Sequence, residues 1–242
     1  MLHSTKNKKG TLYKRYLGVR DETEGNIFAE DEITSVVLGP LDFISNEDVF
    51  YFWAKLLGSA GHSVFLSETP PSSICMKMWD RRITEKGVVE PDVVVAMTWP
   101  DGRSNILLIE MKWRAPLSGK NKNQLHQQWN FYLNEQERKT ALHILIAPHI
   151  LEGVNAINED DVWQGRLVLI PWLNVRTELG KLANCYSAIG RWALYADTFL
   201  ERIGVFKFGG FKHFILDKPL PLLIPPTLFW CPKKSMGLVQ PN

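Results

Sequence analysis

The sequence predicts an α/β fold: a three-layer sandwich with a central mixed β-sheet flanked by helices, followed by a C-terminal accessory segment. Three observations carry this. Two β-branched and apolar runs, Asp92 to Met97 (DVVVAM) and Asn105 to Trp113 (NILLIEMKW), flank a turn at Trp99-Pro100-Asp101-Gly102. Two further apolar runs, Ala141 to Ala147 and Arg166 to Trp172, are separated by a stretch with room for a short helix. Helical periodicity occurs before, between and after these runs. Helices, then strands, then strand–helix–strand is the order of a mixed sheet covered on its faces.

Composition sets the frame. The chain has 242 residues, and 28 Lys and Arg against 26 Asp and Glu leave a net charge of +2. With 45% hydrophobic and 22% charged residues, it is neither disordered, collagen-like nor a coiled coil. The apolar runs are too short and too proline-rich to span a bilayer, so no membrane partner is expected. The N-terminal MLHSTKNKKG has no apolar core, so a secretory signal is not expected. Cys75, Cys185 and Cys231 are far apart and form no C-x-x-C. Reduced thiols in a cytoplasm suit this pattern better than disulfides or a zinc knuckle. The first 20 residues carry six bases and no acid, and residues 21–32 carry six acids and no base. A basic arm beside an acidic patch suits a chain that meets a phosphate backbone and binds metal.

Taken in order, residues 1–28 read as a loose arm. A helix starts near Glu30 and is broken by Gly39-Pro40. A second helix is capped by Ser45, with Asp48 three residues on, and buries Val49, Phe50, Phe52, Trp53, Leu56 and Leu57 before Gly58 and Gly61 end it. Strands are expected at His62 to Ser67, Ile74 to Trp79, Asp92 to Met97 and Asn105 to Trp113. The last two form a hairpin, because Pro100 presets φ and Asp101-Gly102 tolerates a positive φ. One helix is expected over Lys120 to Glu137, with Leu125, Trp129, Tyr132 and Leu133 as its buried stripe. Strands at Ala141 to Ala147 and Arg166 to Trp172 enclose a short helix within 149–163. A long helix is expected over Gly180 to Ile203, then two short strands over Phe206 to Leu216 and a proline-rich extended tail. The expected organisation is an arm at 1–28, a core at 29–172 and an accessory region at 173–242.

Chemistry concentrates between Glu90 and Gln128. Side chains alternate along a strand, so Glu110 and Lys112 share a face while Ile109, Met111 and Trp113 share the other. A glutamate and a lysine then lie side by side in a segment apolar enough to be buried, which is costly unless they pair or bind a metal. Asp92 can reach Glu110 across the hairpin. Two carboxylates bind a hard cation such as Mg²⁺ through oxygen. Such a cation lowers the pKa of a bound water and stabilises charge on a phosphate. A lysine can orient the water or stabilise the transition state.

Pro91-Asp92, followed 18 residues after the aspartate by Glu110-Met111-Lys112, resembles the PD-(D/E)XK signature of the restriction-endonuclease-like nucleases. The resemblance covers roughly residues 28–150. It implies metal ligation by Asp92, Glu110 and the backbone carbonyl of Met111, with Lys112 as the catalytic lysine. It also implies an acidic residue on a preceding helix, here Glu30, with Asp31 second. It further implies a glutamine on the following helix in a Q-x-x-x-Y-like pattern, for which Gln124 and Gln128 both fit. The expected activity is hydrolysis of DNA phosphodiester bonds with Mg²⁺, or Mn²⁺, as cofactor, in restriction, phage defence or repair; RNA stays open as a substrate. The alternative is an inactive module of the same fold that binds nucleic acid or a partner protein.

Arg114, Lys120 and Lys122 form an acid-free loop at a helix start and are candidate strand-backbone contacts. Arg81 and Arg82 are a second basic patch. Trp99 and Trp113 are candidates for stacking on bases. His126 is expected at the surface, and His143 as a satisfied core residue. No two histidines have zinc-ligand spacing, Gly209-Gly210 lacks the lysine of a phosphate loop, and Cys185 and Ser187 have no nucleophile elbow. Leu220, Leu222, Leu223 and Ile224 in the tail suggest a homodimer or partner interface.

Overall fold

The second predicted helix forms as its cap and stripe require. Helix α2 spans Asn46–Ser59, Ser45 caps it by accepting from the Asp48 amide, and all six expected apolar residues are buried. Gly58 lies inside the helix, and Gly61, just past its end, takes the left-handed φ of +81°. The computed structural model describes residues 30–62, 66, 69–85, 87–113 and 124–206. The arm, Arg114, Lys120, Lys122, Cys231, the Gly209-Gly210 region and the proline-rich tail lie outside them. The described residues belong to one compact unit, Met1–Phe206.

Helix α1 is Glu30–Val37, followed by a 3₁₀ turn at Gly39–Phe43. Strand β1 is Ser73–Met78, and a small hairpin follows, β2 (Arg82–Thr84) against β3 (Gly87–Val89). The expected main hairpin is β4 (Val93–Thr98) antiparallel to β5 (Ser104–Met111). Strand β6 is Leu142–Ala147, α5 is Leu151–Glu159 and β7 is Leu167–Pro171. The main sheet runs β1-β4-β5-β6-β7, antiparallel across β1, β4 and β5 and parallel across β5, β6 and β7. It is the five-stranded mixed sheet of an α/β sandwich, flanked by helices.

Alternation divides the core. Val93, Val95, Met97, Leu107, Ile109, Met111, Ile144 and Ile146 join one apolar cluster with residues of α1 and α2. Val94, Leu108, Leu145 and Leu167 join the other, with Leu125, Trp129, Tyr132 and Trp163. Glu110 stands one step beyond Leu108, on the second face.

Several elements differ from expectation. Neither His62 nor Leu66 is in a strand, and the β2–β3 hairpin, with strands of three residues each, is too short to show a periodic signal. The single helix expected over 120–137 is interrupted among its described residues. Helix α3 (Gln124–Gln127) runs into a π-helical turn, Gln128–Tyr132. Leu133 is extended, and Asn134 starts α4 (Glu135–Thr140) with a reciprocal capping box to Glu137. That pair satisfies two free amide ends at once and outcompetes a continuous stripe. The long helix over 180–203 is two helices, α6 (Trp172–Leu182) and α7 (Ala188–Arg202), the latter capped by Ser187. Beyond residue 172, Val175, Leu179, Ile189, Trp192 and Leu200 cluster with Val93 and Ile144.

Candidate active site

Three chain segments meet at the end of β5. Antiparallel pairing sets Val93 opposite Ile109, which brings Asp92 to the last residues of β5. There its Oδ2 accepts a 2.7 Å hydrogen bond from the Met111 amide. Glu30, the first residue of α1, accepts from the Trp113 amide at 3.0 Å and from Lys112 Nζ at 2.9 Å. Lys112 also meets Glu110 at 2.6 Å. Strand alternation places these two on one side, as the sequence required.

Glu30, Asp92 and Glu110 each offer a carboxylate oxygen, and the three oxygens lie within 4.8 Å of one another. Asp31 is not in this group. With all three ionised and one lysine among them, the formal charge is 1 − 3 = −2. Glu110 is 1% exposed. Burial pushes Asp92 well above the usual carboxylate range, and the Glu110 charge adds to it. Burial also raises Glu110, against the pull of Lys112 and Gln128. For Lys112, burial disfavours the ammonium, but Glu110 and Glu30 outweigh it and hold its pKa above the ordinary lysine value. An excess of negative charge in a poorly solvated place is what a hard divalent cation neutralises. The donor set therefore fits a hard divalent cation bound through oxygen. The Met111 side chain is buried in the core.

Both glutamines reach the same carboxylate. Gln124 donates to Glu110 Oε1 and Gln128 to Oε2, each at 2.6 Å. The π-helical turn carries Gln128 directly after α3, so the two glutamines stay one turn apart on the face over Glu110. Such turns recur at functional sites. Tyr132, at the expected spacing, faces away from Glu110 in its bonding: its hydroxyl donates to Asp80, and its pKa is raised by burial and by that bond.

The site lies where the parallel strands end, the usual place for ligands on such sheets. A cleft of about 810 Å³ opens beside Lys112, lined also by Trp113, Pro148, His149, Trp172 and Phe206. Trp172 Nε1 donates to the Lys112 carbonyl at 2.7 Å, tying α6 to the end of β5.

Other candidates are placed elsewhere. Trp99 is 3% exposed and its indole donates to the Thr69 carbonyl, so it is a core residue rather than a stacking platform. Trp113 is buried too, though it is among the residues that line the cleft. Arg81 pairs with Glu90, and Arg82 with Glu137 and the Tyr132 carbonyl. His126 is buried against Trp163, with Nε2 at the Asp160 carbonyl, and is not a surface residue. Cys75 and Cys185 are free and exposed. Sequence reasoning missed the partners behind Gln128, namely His143 and Trp163. The signal was present in register: His143 pairs with Leu108 and so shares its face of the sheet with Glu110.

No family model and no curated protein matches the chain. Among solved structures it is similar to an MspJI restriction endonuclease in complex with a 27-mer oligonucleotide, at 13% identity and a TM-score of 0.32. The match covers 76% of this chain and 38% of that one, so the chain spans about two fifths of that protein's length.

Proposed function

We propose that the chain is a metal-dependent nuclease that hydrolyses DNA phosphodiester bonds. The observation that supports this best is the convergence of Glu30, Asp92 and Glu110 around one point, with Lys112 bridging two of them beside an open cleft. Glu30, Asp92, Glu110 and the Met111 carbonyl would hold Mg²⁺, or Mn²⁺. Such an ion supplies an activated water and charge neutralisation at the scissile phosphate. Lys112 presents a fixed ammonium where negative charge develops. Gln128, 2% exposed, holds the Glu110 carboxylate in place, and the half-buried Gln124 both holds it and stands nearer solvent. Arg114, Lys120 and Lys122 follow directly after β5 in the chain and are proposed as contacts to the strand backbone.

A panel of linear duplex, circular duplex, single-stranded DNA and RNA, incubated with Mg²⁺ or Mn²⁺, tests the reading. Asp92→Ala and Lys112→Ala are each expected to lower cleavage by about 10²-fold or more, with an unchanged circular dichroism spectrum. If both variants cut like the parent protein, the proposal is wrong. A parent protein that cuts nothing and gives no heat with millimolar Mn²⁺ would instead be the binding module.

A further inference from the structure

A line of hydrogen bonds runs inward from Glu110. Gln128 Nε2 donates to Glu110 Oε2 at 2.6 Å, and Gln128 Oε1 lies 3.0 Å from His143 Nε2. On the far edge of that ring, Trp163 Nε1 donates to His143 Nδ1 at 3.0 Å. His143 and Trp163 are 0% and 1% exposed. The direction of the whole line is set at its inner end. An indole N–H can only donate. Nδ1 must therefore accept, and a neutral ring then carries its proton on Nε2. That proton needs an acceptor, and the Gln128 carboxamide oxygen is the one in reach. The carboxamide is thereby turned so that its NH₂ faces Glu110. Turning it over would set oxygen against oxygen at Glu110 and N–H against N–H at His143. Burial keeps the imidazole neutral, lowering its pKa to about 3, and Trp129 stacks on the ring at an interplanar angle of 8°.

We propose that Trp163 and His143 are positioning residues that lock the Gln128 carboxamide with its N–H toward Glu110, pre-aiming that carboxylate for a divalent cation. The consequence for the cation rests on the nuclease reading; the lock itself does not.

The metal-free protein of 242 residues tests the lock by ¹⁵N NMR of the imidazole nitrogens and of the Gln128 side-chain amide. His143 is expected as a single Nε2–H tautomer from mildly acid to mildly alkaline pH. Trp163→Phe keeps the aromatic packing but removes the donor. It is expected to mix the tautomers, shift the Gln128 amide signals and weaken Mn²⁺ binding by about tenfold, as loss of outer partners of metal ligands does. His143→Gln, which can still donate to Gln128, should keep more of that affinity than His143→Leu. A purely structural role would make the two His143 variants alike in affinity. A parent His143 protonated on Nδ1, or a Trp163→Phe protein with unchanged tautomer and amide signals, overturns the lock. A parent protein that takes up no Mn²⁺ defeats the nuclease reading, while the NMR signals still decide the lock.

Discussion

Asp92 and Glu110 are carboxylates held where carboxylates are expensive. Their raised pKa values, caused first by burial and then for Asp92 by the Glu110 charge, mean that the metal-free protein is strained by its own charges. Because the folded value for Asp92 lies above the unfolded one, its contribution to stability is full below about pH 4 and is lost as pH rises through the folded pKa. Asp92→Asn keeps an acceptor for the Met111 amide and removes the charge. It should stabilise the metal-free protein by roughly 0.5–2 kcal/mol at about pH 8, and the gain should shrink toward about pH 5. His143 works in the opposite sense: burial depresses its pKa to about 3, so its contribution fades as pH falls below about 6.5. Both proteins carry His143, so that effect cancels in the difference. Urea melts across pH, with and without Mn²⁺, provide the check. Added Mn²⁺ should raise the stability of the parent far more than that of the variant. A variant less stable than the parent at about pH 8 without metal would contradict this charge strain. At this scale much was readable. Strand alternation alone placed Glu110 beside Lys112. What it could not give was the partner of Lys112 from α1, because the Lys112–Glu30 bond joins residues 82 apart.

Among the elements, local rules succeeded where a cap or a stripe acted alone and failed where two competed. Ser45 capped α2 as read. Asn134 and Glu137 carried an equally legible capping box, yet the apolar stripe drew a longer helix across them. The junction between α6 and α7 was hidden for another reason. Gly190 sits in the first turn of α7, its amide bound to Ser187 Oγ. A Cβ built there would stand 1.8 Å from the Cys185 carbonyl oxygen. By propensity, Gly190→Ala should gain about 1 kcal/mol in a helix. The close approach of residue 185 reverses the sign, and a loss of about 2 kcal/mol is expected from the forced backbone shift. A denaturant midpoint higher than the parent's would show that the 183–187 turn gives way freely.

Across the molecule, the C-terminal helices belong to the same interior as the sheet. Val175, Leu179 and Trp192 share a cluster with Phe52, Val93 and Ile144. A chain ending at residue 172 is therefore expected to lose its cooperative melt and to bind hydrophobic dyes, as collapsed but unpacked chains do. A sharp transition close to that of the full chain would show that the sheet and the first helices suffice. Periodicity marked these helices as amphipathic but could not tell what their apolar sides covered, since that depends on contacts over long separations. The Trp192 indole, for example, donates to the carbonyl of Val37 at 2.9 Å, across 155 residues. This bond bears on biosynthesis. Val37 ends the helix that begins with Glu30, so one anchor of that helix does not exist until the ribosome has made position 192. Loop closure over such a span comes late in folding. The nascent polypeptide thus carries Asp92, Glu110 and Lys112 out of the exit tunnel well before the helix bearing their third acidic neighbour is fully fastened.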